Sequence, residues 1–249
     1  MFEGVLTQHD SIAGADGSSF TIQDQARMAR AKNYLAWQSR LILPELGQRV
    51  VEVGCGMGNF TEYLLGRDQV IAVDVEPECV KHLRQRYPAR SNLLVFACEP
   101  TNPAFAELST FRPDSCVCTN VLEHIPDDAA ALRAMAAILE PQGKIVLWVP
   151  AFQALYGSMD KRLDHCRRYR KQDMLRLAAQ VGLKISKMRY VNMAGFFLWW
   201  ASSRLIRQQA VTGTQIDIFD RLIAPWLSRL EAMVQPPFGQ SLFAVLQKH

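Results

Sequence analysis

Apolar positions along the chain fall into short unbroken runs separated by helically spaced ones. RVVEV (49–53), QVIAVD (69–74), NLLVFA (92–97), SCVCTN (115–120) and KIVLWV (144–149) have the pattern of strands buried on both faces. The segments between them predict helices over 59–65, 77–86 and 127–139. Proline suits the first turn of the second, and Asp127 with Asp128 suits the positive N-terminal end of the third. Upstream, Met28, Ala31, Tyr34, Leu35, Leu41 and Ile42 recur at helical spacing within 22–46, closed by Pro44 and Gly47. Strand–helix alternation of this kind predicts a parallel, doubly wound α/β sheet.

The regularity stops after Pro150 and resumes with a helix over 172–180, ended by Gly182. KISKMRYV (184–191) and SLFAVLQ (241–247) read as strands, and 195–236 between them as a Trp- and Leu-rich helical insertion closed by Gln-Pro-Pro. The expected organisation is one domain: an N-terminal arm and helix (1–46, loose over 1–20), a core (47–150), a loop (151–171) and the insertion (195–236).

Composition narrows this little. With 249 residues, 49% hydrophobic and 21% charged, the chain suits one large globular domain, and collagen-like, coiled-coil and disordered readings fail. The start, MFEGVLTQHDSIAGADG, has neither the basic nor the apolar region of a signal peptide. The longest apolar run, 193–201, falls well short of the roughly 20 residues that span a bilayer. Six cysteines show no C-x-x-C pair or zinc-ligand spacing, so a reduced, cytoplasmic setting is expected.

Charge changes the picture in one place. The net charge is +4, but KRLDHCRRYRK (161–171) alone carries six basic residues and one acid. That leaves 22 basic and 23 acidic residues elsewhere, a net of −1. A single basic loop argues for a local anion contact and against nonspecific wrapping of nucleic acid.

Candidate chemistry begins at Glu52-Val-Gly54-Cys-Gly56-Met-Gly58, where the first strand meets the first helix. Glycines let a backbone approach a ligand closely, and a helix N-terminus supplies unpaired N–H groups. Asp74 ends the next strand, where a carboxylate can accept both hydroxyls of a ribose. The G-x-G-x-G spacing puts Asn59 where a dinucleotide fingerprint wants Gly or Ala, and no Lys-Ser/Thr of a phosphate loop follows.

Taken in order, VVEVGCGMGNFT, VIAVD and DSCVCTNVLEHIPDD…ILEPQGKIVLWVP resemble the motifs of class I S-adenosylmethionine-dependent methyltransferases. The resemblance implies a Rossmann-like, seven-stranded sheet with its last strand antiparallel, S-adenosylmethionine as cofactor and S-adenosylhomocysteine as product. It implies that Gly54, Gly56 and Gly58 line the methionine and ribose portion, and that Glu52 faces the methionine amino group through water. Asp74, with Val75 after it, would hold the ribose, Asn120 would lie beside the methionine, and either Cys98 or Glu99 would meet the adenine amino group. A sulfonium methyl is already activated, so the protein chiefly aligns an acceptor and excludes water.

Two segments at the ligand edge of such a sheet are candidates for the acceptor side. Glu123 and His124 follow the fourth strand and could position substrate, act as base, bind a metal, or serve structure alone. Some small-RNA 3′-end and ubiquinone-pathway O-methyltransferases are similar here, with E-x-x-E-H supplying metal ligands. Asn120 stands in place of the first Glu, which weakens a hard-cation site, so no metal is assigned. The second segment, LYGSMD (155–160) through Lys171, resembles a bacterial subgroup with an L-Y-G-x-x-D…G-H-x-R-R-Y pattern, although Asp164 replaces the usual Gly. His165 is the preferred general base, with His124 and Tyr169 as further catalytic candidates. Arg167 and Arg168 suit a carboxylate or phosphate, with Tyr156 and Asp160 beside them on the substrate side.

The expected activity is methylation of oxygen on an anionic small molecule, natural product or glycan precursor. RNA methylation and a non-catalytic cofactor-binding subunit are the alternatives. The insertion is expected to be a lid, with a dimer interface or a membrane contact as other uses.

Overall fold

The computed structural model describes residues 25–205 and 211–248, so the segment 1–20, read as a loose arm, lies outside the described residues. Seven strands form one sheet: β1 (Arg49–Val53), β2 (Gln69–Asp74), β3 (Leu93–Ala97), β4 (Ser115–Thr119), β5 (Lys144–Pro150), β6 (Lys184–Val191) and β7 (Ser241–Gln247). Their order is β3-β2-β1-β4-β5-β7-β6. The first five pair in parallel, and β7 runs antiparallel to both β5 and β6. The helices are α1 (Lys32–Ile42), α2 (Thr61–Leu64), α3 (Pro77–Arg86), α4 (Asp128–Ile138), α5 (Ser158–Arg162), α6 (Lys171–Gln180), α7 (Met193–Trp200), α8 (Gly213–Ile218) and α9 (Ala224–Met233).

The unbroken apolar runs arise because alternate strand residues feed two different cores. Val51, Val53, Val73 and Cys116 face a core covered by Leu132 and Met135 of α4 and by Met174 of α6. Val50, Val70, Val117 and Trp148 face the opposite core, covered by Trp37 of α1, Leu83 of α3 and Leu227 of α9. A strand sandwiched in this way has no solvent face on which to place polar residues. No described helix is long and apolar enough to cross a membrane.

Three stretches differ from the sequence-based expectation. The helix expected over 22–46 is interrupted near Arg30, and α1 begins only at Lys32. Asp220, from the insertion, accepts the Asn33 and Tyr34 backbone N–H groups at 3.2 and 2.8 Å, a cap supplied from far along the chain. Residues Pro103–Phe111 form an unanticipated 3-10 run, opened by Asn102 accepting the Ala104 N–H at 2.9 Å. Phe105 and Leu108, its buried residues, are three apart, the spacing at which 3-10 side chains align. Between Pro150 and Lys171 the chain is ordered by a turn at Gln153–Leu155, by α5, and by Tyr169 bridging Ala151.

Candidate active site

The glycine turn after β1 is folded tightly against β2. The Gly54 and Cys55 N–H groups both donate to the Val73 carbonyl, at 2.8 and 3.0 Å. Gly54 has φ +75°, and a Cβ there would lie 2.1 Å from Cγ2 of Val121, so both backbone and space demand glycine. At Gly56, φ +52°, a Cβ would collide with the Gln25 side-chain oxygen. Gln25 clasps this turn: its Oε1 accepts the Met57 N–H at 2.7 Å and its carbonyl accepts from Asn59 Nδ2 at 2.8 Å. No motif marked Gln25 in the sequence.

Two carboxylates flank the turn. Asp74 Oδ2 accepts the Gly56 N–H at 2.7 Å and Oδ1 accepts the Glu76 N–H at 2.9 Å. These bonds fix the carboxylate at the β2 edge; burial raises its pKa while the N–H donors oppose that rise. Glu52 is buried, and its Oε2 accepts from Thr61 Oγ1 at 2.6 Å. Burial pushes Glu52 up to about 8, only partly countered by that hydrogen bond. Val75 is 60% exposed beside Asp74. Of the pair beyond β3, Cys98 packs into the core with Phe105, whereas Glu99 is exposed. Asn120 leaves β4 in the left-handed region, φ +53°, and is exposed at the same edge.

The acceptor-side segments meet one another. Asp160 is fully buried and joins His165 and Arg168: its Oδ1 lies 2.9 Å from His165 Nδ1 and accepts from Arg168 Nε at 2.7 Å. Arg168 also donates to the Ala151 carbonyl at 3.2 Å and lies over the Trp199 ring, 4.8 Å from its centroid. The other imidazole nitrogen of His165 lies 4.0 Å from Glu123 Oε1, and the His165 and His124 rings meet edge to face at 4.7 Å. The backbone ties these elements together through the Cys166 N–H, which donates to the Glu123 carbonyl at 2.7 Å.

Glu123 is the anomaly of this cluster. It is fully buried, neither carboxylate oxygen has a hydrogen-bond partner, and burial pushes it up to about 8. His124 reaches solvent at its edge, yet the protein around it, then His165, holds it down to about 4. Glu123, His124 and His165 bring ligand atoms within 4.8 Å of one another. Their composition fits a divalent cation: an unsatisfied carboxylate, a neutral imidazole, and a second imidazole oriented by an outer carboxylate. The sequence left a metal open at Glu123 and His124 and assigned none, because Asn120 stands where a further ligand is expected; the fold adds His165 to the pair from another loop.

The remaining predicted residues are anchored within the protein. The Tyr156 hydroxyl donates to the His165 carbonyl at 2.8 Å. Arg167 pairs with Asp128 at 2.7 Å and donates to the Pro126 carbonyl at 2.7 Å. Tyr169 is buried, with its hydroxyl 2.9 Å from Asp128, and burial pushes its pKa up, far from that of a working base. Arg167 and Arg168 therefore do not stand side by side as an open anion clamp. Counting charge along 161–171 overlooked Asp160 and Asp128, acids that lie outside the segment and pair with two of its six cations in space.

The sequence and the fold both have counterparts among known proteins. A methyltransferase-domain family model matches residues 20–187. A ubiquinone biosynthesis O-methyltransferase of Xanthomonas oryzae pv. oryzae is 39% identical over 103 residues, 41% of this chain and 42% of that protein. The chain thus spans less than half the length of the curated relatives it matches. A chain of the complex containing the Haloferax volcanii Trm112 methyltransferase activator superposes with a TM-score of 0.65 at 16% identity, covering 96% of this chain and 100% of that one. The N-methyltransferase NodS of Bradyrhizobium japonicum WM9, solved with S-adenosyl-L-homocysteine, has a TM-score of 0.51 at 15% identity, covering 91% and 87%. At such identities the two structures speak to the fold alone. The family match extends over more than half of the chain and includes the glycine turn, Asp74 and the β4 edge, so the chain belongs to the class I S-adenosylmethionine-dependent methyltransferases.

Proposed function

We propose that the protein methylates a hydroxyl oxygen of a small molecule, with His165 as the base. The observation that carries this reading is the buried Asp160–His165 pair, whose second imidazole nitrogen opens toward Glu123 and His124 at the ligand edge of the sheet. S-adenosylmethionine, when bound, supplies an activated methyl on sulfur. Gly54, Gly56 and Gly58 would make room for it, and Asp74 and Glu52 would hold its ribose and amino group. Asp160 fixes the His165 tautomer by accepting from Nδ1, leaving Nε2 to take the hydroxyl proton as oxygen bonds to the methyl carbon. S-adenosylmethionine held there would supply the methyl, the carbon–sulfur electron pair remaining on sulfur and S-adenosylhomocysteine being the product. Phe196 of α7 packs on Phe152 and Trp199 beneath Arg168, so α7 would roof the acceptor side and keep water out.

The relatives named for ubiquinone biosynthesis favour a phenolic hydroxyl, as does the internal pairing of Arg167 and Arg168, which withdraws these two guanidinium groups from a strongly anionic acceptor. The same pairing weakens RNA methylation. The direct test is S-adenosylhomocysteine formation with a panel of catechols and other phenols. His165→Ala should lower the rate by about a hundredfold or more; an unchanged rate removes His165 as base.

Glu52 makes a further prediction. In the free protein at neutral pH its carboxyl is mostly protonated. A methionine ammonium opposite it favours the anion, so binding of S-adenosylhomocysteine should release close to one proton near pH 7. Calorimetry in buffers of different ionisation enthalpy reads that proton, and Glu52→Gln should abolish it. Because the folded-state pKa exceeds the unfolded one, the stability that Glu52 contributes is full below pH 4.5 and lost as pH rises through about 8.

The orphaned carboxylate of Glu123 favours a second reading, in which a divalent cation sits between Glu123, His124 and His165 and binds the acceptor oxygen. Added Mn2+ or Zn2+ should then raise the melting temperature by several degrees in the native chain and not in Glu123→Ala. An equal response in both would remove the site.

A further inference from the structure

Residues 213–233 form a continuous helix in which α8 passes through a π turn (Phe219–Ile223) into α9. Its inward side is well partnered. Leu227 enters the core, Asp220 caps α1, and Glu231 accepts the Asn192 and Met193 N–H groups at 3.1 and 2.9 Å. The outward side is apolar. Ile218, Leu222, Trp226, Leu230 and Met233 are 51, 66, 72, 52 and 85% exposed. They follow one another three or four residues apart, the spacing of a single helix face.

Charge around this face is sorted by sign. Arg221 and Arg229 are exposed along it, and the Arg229 guanidinium lies 5.6 Å from the centroid of the Trp226 ring. Among the described residues, neither arginine has an ion-pair partner. The acids of the same helix are withdrawn: Asp220 and Glu231 are buried, and Asp217 is paired with Arg30. From Ile218 to Met233 the exposed positions are thus apolar or cationic. A second copy applying the same face would meet two arginines with two arginines, whereas a surface of anionic phosphates complements them.

We infer that this face docks the protein on an anionic lipid bilayer, with the apolar stripe entering the headgroup boundary and Arg221 and Arg229 meeting lipid phosphates. The apolar run 193–201 drew attention in the sequence, but the stripe lies on α8–α9. The inference goes beyond the proposed reaction and does not depend on it.

The test is co-sedimentation of the full chain with vesicles of phosphatidylcholine containing phosphatidylglycerol, at low and high salt, beside vesicles of phosphatidylcholine alone. Binding is expected to the anionic vesicles and to weaken at high salt. Arg221→Ala with Arg229→Ala should weaken it about thirtyfold, and Leu222→Ser with Trp226→Ser by at least about tenfold. Melting temperatures should stay near that of the native chain, because these side chains leave the core untouched. Absence of binding to anionic vesicles overturns the inference, as does binding that neither double variant changes. A dimer in light scattering that dissociates on Leu222→Ser with Trp226→Ser overturns it as well, because a second copy then covers the face.

Discussion

Asp74→Ala is expected to weaken binding of S-adenosylhomocysteine about a hundredfold, the loss of two charge-assisted hydrogen bonds to a ribose. The magnitude follows from the carboxylate being placed before the ligand arrives. The Gly56 and Glu76 N–H groups each hold one of its oxygens, so little ordering remains to be done on binding. Each oxygen keeps a further lone pair for a hydroxyl. Asp74→Asn should fall between, since an amide retains one acceptor but loses the charge. Calorimetry gives both affinities, and the melting temperature separates loss of ligand from loss of the turn. If Asp74→Ala binds as tightly as the native chain, the ribose assignment is wrong, whatever the reaction proves to be.

The glycine turn and the strand end that carries Asp74 were legible in the sequence because their signals are local. Gly54, Gly56 and Gly58 are needed for backbone conformations, all three having positive φ, and a motif records such needs directly. Asp74 could be placed because the length of one strand–turn–helix–strand unit fixes where the next strand ends. Strand ranges were readable for a related reason: residues sandwiched between two cores cannot vary far in polarity. The acceptor side is built from long-range pairings, which leave no period behind. Asp160 and His165 are five residues apart, and nothing in that spacing says they share a proton. His165 reaches Glu123 across 42 residues, and Arg167 reaches Asp128 across 39. Gln25 on the glycine turn and Asp220 on α1 are likewise contacts between distant segments. The basic loop was visible as charge, while the pairing of Arg167 and Arg168 was not, since their partners lie outside it.

Asp160→Ala should be the most damaging single substitution at the acceptor side, and its effect should fall on stability before chemistry. Arg168 is 4% exposed and Asp160 fully buried, so truncation leaves the guanidinium without its hydrogen-bonded carboxylate in a dry site. Breaking a buried pair from one side costs about 3–5 kcal/mol. For a chain of this length that lowers the melting temperature on the order of 10 °C. Burial already pulls the Arg168 pKa down while Asp160, and after it Glu123 and Tyr156, hold it up, so removing Asp160 takes away the largest opposing influence. Asp160→Asn keeps the shape and can still accept from Arg168, so its stability loss should be smaller. Its loss of activity should nonetheless approach that of His165→Ala, because a neutral amide no longer stabilises the imidazolium formed on proton uptake. Replacing both Asp160 and Arg168 by apolar residues of similar volume should recover much of the melting temperature and none of the activity. That separation distinguishes an ion pair that holds the loop from a carboxylate that orients a base. A melting temperature for Asp160→Ala within a degree or two of the native value would show that the loop is held by other contacts.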